Sequence, residues 1–196
     1  MLSRIREDVE TVPKTIGYKI TQGLAILSDE EEACTKPKWA YMFALNISGA
    51  NIEKCQEAAC KDPEYAYLFA KRIPGADLGK CQEIACKESE YAYLFAKNVP
   101  GANIEKCQES ACKDPRWSYR FARYVPGADI KKCQEGACKD PYYAYLFARY
   151  IPGANIEKCQ EAACKEPYWA YWFARDIPRA DVGKCRQICG GTSYAF

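Results

Sequence analysis

Six times between Ala33 and Ile188 the chain repeats variants of one 26-residue unit, of which CKDPEYAYLFAKRIPGADLGKCQE, Cys60 to Glu83, is the core. The copies fall at Ala33–Ala58, Ala59–Ile84, Ala85–Ser110, Ala111–Gly136, Ala137–Ala162 and Ala163–Ile188, with no gap or insertion. A period of roughly 20–50 residues marks a stacked-repeat architecture. One such unit is too short to bury its own apolar face, so it must stack on its neighbours.

Each unit reads as two short helices. In the second copy Asp62 is a good N-cap, and Pro63 occupies the first helical position, where its missing N–H costs nothing. The spacing predicts a first helix, A, from Pro63 to about Arg72, broken by Ile73-Pro74-Gly75-Ala76. Asp77, which is Asn in other copies, caps a second helix, B, predicted to run to about Lys87. On a helical wheel Tyr65, Ala66, Phe69, Ala70 and Ile73 form one stripe of helix A, with Tyr67 on its flank. Glu64, Leu68, Lys71 and Arg72 face away, and these positions vary between copies. In helix B the buried stripe is Leu78, Gln82 and Ala85. The predicted fold class is all-α: an α-solenoid of six helix-turn-helix repeats (33–188), with an N-terminal capping segment (1–32) and a C-terminal tail (189–196). The capping segment is expected to hold one or two helices around Pro13 and Gly17.

In design, Ala33 to Ile188 resembles the α/α-repeat solenoids such as tetratricopeptide, Sel1-like and HEAT repeats. Those units run to roughly 34–47 residues, so the likeness is one of architecture and not of motif. Two cysteines per hairpin also look like the secreted, cysteine-rich Sel1-like proteins of bacteria. That second resemblance implies a disulfide in each unit and the binding of other proteins.

The chain has 13 cysteines, and twelve of them recur with the repeat. Each copy carries one early (Cys34, Cys60, Cys86, Cys112, Cys138, Cys164) and one late (Cys55, Cys81, Cys107, Cys133, Cys159, Cys185). On the helix B wheel, Cys81 and Cys86 fall on opposite flanks of the buried stripe, which suggests bridges between successive units. One scheme joins Cys34–Cys55, Cys60–Cys81 and onward to Cys164–Cys185; the other joins Cys55–Cys86, Cys81–Cys112 and onward. Asp29 and Gly190 stand where only the second scheme would need a further cysteine, so the first is preferred. In-register helices would offset its sulfurs by roughly 7 Å along the axis. Bridged Cα atoms usually lie about 4.4–6.8 Å apart, so this scheme requires stagger or tilt between units. Inert core thiols are the plainer alternative. Cys189, one position off register, is read as a free or intermolecular thiol.

Histidine is absent, which removes the commonest general base and mixed Cys/His zinc sites. With no C-x-x-C knuckle either, no metal, no cofactor and no catalytic residue is predicted. Lys and Arg (28) nearly balance Asp and Glu (26), which disfavours a general nucleic-acid coat. No apolar run is long enough for membrane insertion. MLSRIREDVETVPK lacks the apolar core of a secretion signal. Disulfides would nonetheless place the chain outside the cell or at its surface, or in the cytoplasm of a thermophile.

The outward positions of helix A are bland in early copies (Glu64, Leu68, Glu90, Leu94) and basic or aromatic later. Arg116, Arg120, Arg123 and Tyr124, then Tyr142, Arg149 and Tyr150, then Tyr168, Trp172 and Arg175 make a stripe with the composition of interface hot spots. A solvated face is the plainer reading of it. The expectation is a non-enzymatic structural protein: a disulfide-stapled solenoid that is a rigid scaffold or assembles head to tail with itself. The alternative is an adaptor that holds a protein, glycan or nucleic acid on the stripe, and a thiol-based redox or metal-buffering protein is a third class.

Overall fold

The computed structural model describes residues 15–190, and every regular element within them is helical. A short helix α1 (Ile16–Thr21), a 3₁₀ turn (Leu27–Asp29) and the single turn α2 (Glu30–Ala33) precede the repeats. The first three pairs are α3 (Pro37–Asn46) with α4 (Ile52–Ala59), α5 (Pro63–Arg72) with α6 (Leu78–Ala85), and α7 (Ser89–Asn98) with α8 (Ile104–Ala111). The next three are α9 (Pro115–Tyr124) with α10 (Ile130–Ala137), α11 (Pro141–Tyr150) with α12 (Ile156–Ala163), and α13 (Pro167–Asp176) with α14 (Val182–Cys189). Each A helix packs on its own B helix and on the next A helix, which makes the stack an α-solenoid. The Pro13 end of the capping segment and the tail from residue 191 lie outside the described residues.

Local chemistry explains the punctuation. The Asp62 carboxylate accepts from the N–H groups of Glu64 and Tyr65 at 2.9 and 3.3 Å and so caps helix A. Asp77 does the same for helix B, accepting from Lys80 at 3.1 Å. Between them Gly75 turns the chain at φ +82°, a left-handed conformation that glycine adopts without strain. In the sixth unit the same corner is held by Arg179 at φ +70°.

Helix B ends earlier than the sequence suggests, at Ala85 and not near Lys87. Its last turn tightens: Lys87 N–H reaches Ile84 O and Glu88 N–H reaches Ala85 O, which swings the chain into the extended cap of the next helix A. The early cysteine therefore sits at the C-cap and leaves the helical path.

The core is a row of repeated layers. Phe43, Phe69, Phe95, Phe121, Phe147 and Phe173 are all completely buried, as are the alanines three residues before all but one of them. Tyr67, placed by the wheel on the flank, is buried, whereas Tyr65 is only half-buried. The reason is the neighbouring unit, which the wheel does not contain. Tyr41 meets Tyr65, Tyr67 meets Tyr91, Tyr93 meets Trp117, Tyr119 meets Tyr143 and Tyr145 meets Trp169, with ring centroids 5.4–6.4 Å apart. These rings run as one aromatic row along the A helices.

The capping segment seals the first unit. Ile16 and Ile20 are buried, and Gly17 lies so close to the Trp39 indole that an added Cβ would sit 2.4 Å from it. Lys19 pairs with Asp29, the residue at the late-cysteine register.

Repeat four varies the core in a coupled way. Ser118 replaces the buried alanine of the other units and donates its hydroxyl to Cys133 O at 2.7 Å. The room comes from Gly136, where an added Cβ would lie 2.2 Å from Ser118 Oγ and 2.5 Å from Cys112 O. Gly136→Ala is therefore expected to destabilise the fold by about 1–2 kcal/mol, overpacking outweighing alanine's helix preference. Adding Ser118→Ala should recover part of that loss. A double-mutant cycle by urea unfolding measures the coupling, and strictly additive effects would contradict it.

Candidate functional site

Along the B helices runs a ladder of sulfur and amide groups. Each late cysteine faces the early cysteine 21 residues before it, the pairing of the preferred scheme. The Sγ–Sγ distances are 3.8 Å for Cys34–Cys55, 3.5 Å for Cys60–Cys81 and 3.7 Å for Cys86–Cys107. They are 3.6 Å for Cys112–Cys133, 3.9 Å for Cys138–Cys159 and 3.3 Å for Cys164–Cys185. These are thiols in van der Waals contact, since a disulfide bond is about 2.05 Å. Contacts at a separation of 21 and not 26 residues mean that the C-terminal end of one B helix meets the N-terminal half of the next. That offset brings together sulfurs which in-register helices would hold apart.

The glutamine of helix B, which the wheel assigned only to the buried stripe, clamps each unit to the next. Gln56, Gln82, Gln108, Gln134 and Gln160 are buried. Each accepts at Oε1 from the backbone N–H of the next B-helix cap (Asp77, Asn103, Asp129, Asn155, Asp181) at 2.8–2.9 Å. Each also donates from Nε2 to the carbonyl of that same residue at 2.6–3.0 Å. Both backbone groups of the cap are thereby satisfied by one side chain. In four units Nε2 also points at the late sulfur, 3.1–3.3 Å from Cys107, Cys133, Cys159 and Cys185. The available signal was an amide held at one position inside a predicted apolar stripe. At the ladder's ends Glu30 takes the glutamine register and accepts from Asn51 N–H at 2.7 Å, and Arg186 takes it in the last helix.

The two thiols of a pair are not equivalent. Early cysteines are half-buried and late ones fully buried. The sulfur–sulfur hydrogen bond within each pair holds Cys60, Cys86, Cys112 and Cys138 below the usual thiol range. That same hydrogen bond, with burial, drives Cys81, Cys107, Cys133 and Cys159 far above it. Burial instead raises the end cysteines: Cys34 upward, with Glu30 and Glu31 adding to the shift, and Cys164 to about 12. A lowered value keeps thiolate at lower pH, and the thiolate is the nucleophile. At pH 7 iodoacetamide should therefore modify Cys60, Cys86, Cys112 and Cys138 of the reduced protein well before Cys34 and Cys164. The gap should narrow as the pH rises above about 9. Time-resolved peptide mass spectrometry checks this; equal rates at pH 7 would refute the asymmetry.

Cys189 is completely buried, against Cys185 and Ala170, and its thiol donates to Pro167 O at 3.4 Å. An intermolecular link through it would first require α14 to open. The sequence reading missed this because it left Cys189 off register, outside the helix face that buries it.

The aromatic stripe resolves into three groups. Arg116 and Arg120 both stack on Trp117, at 4.8 and 4.9 Å. Arg123 lies over Tyr124 and Tyr150 at 5.4 and 4.7 Å, and Arg149 over Tyr150 at 5.3 Å. Tyr142 and Tyr168 flank Trp169 at 4.8 and 4.7 Å, while Arg175 lies 3.6 Å over Trp172. Tyr124, Tyr142, Tyr150 and Tyr168 remain 39–48% exposed, enough for a partner to reach. Trp117, Trp169 and Asp176 were missed. Asp176 receives Tyr145 OH at 2.7 Å and both Arg149 and Arg175, and the Arg175 hydrogen bond leads in holding its carboxyl below the usual range. Its signal was a lone acid at a position that is Arg, Asn or Tyr elsewhere.

The fold and the ladder define the chain as a helical repeat solenoid with an interlocking sulfur–amide spine. No family model, curated protein or solved structure matches it. No helix among the described residues is long and apolar enough to cross a membrane.

Proposed function

We propose that the protein is a non-enzymatic scaffold: a solenoid stapled by disulfides in an oxidising compartment, presenting the Arg/aromatic face of repeats four to six to a protein partner. The observation that carries this reading is the register of six thiol pairs, each joining the end of one helix pair to the B helix of the next. Closure of a loop of about 20 residues contributes roughly 3 kcal/mol to stability, so several closures would make the rod resistant to unfolding. Stacked guanidinium and ring groups carry little entropy to lose on binding, which suits a recognition face.

Mass spectrometry of protein isolated without reductant, its free thiols blocked, tests the staple. The expected mass is lower by two hydrogens for each of six pairs, with Cys189 alone blocked after unfolding; thirteen blocked thiols would defeat the reading. For the face, Arg120→Glu should abolish capture of the partner without lowering the unfolding midpoint.

End-to-end assembly is the second reading, favoured by Val182 and Ile188 on the last described helix, which are 39% and 43% exposed. Counterparts such as Ala58 and Ala162 are buried under the next unit. Arg186 offers no acceptor to an incoming cap and Gly190 no thiol, so an added molecule would dock without clamp or staple. Negative-stain imaging separates single rods from fibres.

A further inference from the structure

We propose that each reduced thiol pair is a two-coordinate site for a soft monovalent cation, with copper(I) as the biological case, so that the ladder takes one ion per pair. This goes beyond the scaffold reading, because it concerns the same sulfurs in their reduced state and holds whether or not they later oxidise.

Geometry comes first. A linear sulfur–metal–sulfur unit spans roughly 4.6 Å, twice a metal–thiolate bond of about 2.3 Å. The sulfurs stand 3.3–3.9 Å apart, so each pair must part by only about 1 Å. The early cysteine has room to do this because it lies at a helix C-cap, half-buried. A 370 Å³ groove between α4 and α6 reaches Cys60, and one of 460 Å³ between α12 and α14 reaches Cys164.

Donor number selects the ion. Among the described residues no group of three or more Cys, Asp or Glu side chains converges on one point, which leaves zinc without its tetrahedron. Two thiolates alone suit a soft ion of low coordination number, and thiolate softness selects copper(I). The sequence holds no C-x-x-C knuckle, and pairing across successive helix pairs is what creates this site.

Charge is met locally. Binding replaces two S–H bonds with two metal–sulfur bonds and releases two protons. No electron is transferred, and the site gains one negative charge. Gln82, Gln108, Gln134 and Gln160 already aim an N–H at the late sulfur of the last four pairs. Lys139 Nζ lies 3.4 Å from the carbonyl oxygen of Cys112, within reach of the charge formed there. The first pair has Glu30 and Glu31 as neighbours, both paired with Lys54.

The test titrates the intact, reduced protein with copper(I) under anaerobic conditions, against a colorimetric copper(I) chelator. The expected result is six ions per chain at unchanged helix content, two sulfur neighbours per ion by X-ray absorption, and five ions for Cys112→Ser. If Cys112→Ser unfolds, Cys138→Ser takes its place with the same expected loss of one ion. Any other stoichiometry for the unmodified chain, an unchanged count in the folded variant, or three or more sulfurs per ion overturns the proposal. Failure here leaves the disulfide count of unreduced protein untouched, so the two readings fall separately.

Discussion

Replacing Gln108 by leucine is expected to lower the stability of the reduced protein by about 1–3 kcal/mol, although leucine is apolar and of similar volume. The site is 3% exposed, and Gln108 accepts from the Asp129 N–H at 2.9 Å and donates to the Asp129 carbonyl at 2.7 Å, where Cys133 N–H also bonds at 3.0 Å. Leucine fills the space and leaves the Asp129 N–H unpaired at a cost of about 1–3 kcal/mol, while the Asp129 carbonyl keeps the bond from Cys133 N–H at 3.0 Å. Urea unfolding gives the loss, and faster hydrogen exchange at the Asp129 amide locates it. A loss below about 1 kcal/mol would mean that water takes over the clamp. Because the clamp joins repeat three to repeat four, its removal should also weaken the coupling between the two halves of the rod.

Phe121→Ala carries the second large effect, about 3–5 kcal/mol. The ring is completely buried, between layers built on Phe95 and Phe147, and those neighbours hold their spacing through their own clamps and tyrosines. Such a cavity collapses poorly, which places the cost towards the upper end. Stacked repeats unfold as coupled local units, so weakening the middle one should broaden the urea transition as well as shift it. A sharp transition with less than 2 kcal/mol lost, on the scale set by core truncations, would show that the layers relax around the gap.

These two residues show how far the pattern of residues could be read. Phe121 belonged to a stripe visible on a helical wheel, because burial inside one hairpin follows its own periodicity. Gln108 was placed on the buried face, but what it bonds was not visible. Its partner lies 21 residues ahead, and that separation is set by how one helix pair packs on the next. Tyr67 was misplaced for the same reason, since the ring that covers it, Tyr91, belongs to the following unit. The Arg and Tyr positions of the stripe were all identified, yet their division into stacked groups around Trp117, Tyr150 and Trp169 depends on rings from adjacent A helices.

The repeat by itself determined the helix pairs, their caps, the left-handed corner at Gly75 and the necessity of stacking. All of these follow from propensities and periodicities within one unit. The absence of cysteine at Asp29 and Gly190 already favoured the sulfur pairing that the structure shows. Only the tertiary structure decided the offset between successive B helices and which backbone each glutamine holds, because those contacts belong to two helix pairs at once and no local pattern encodes them.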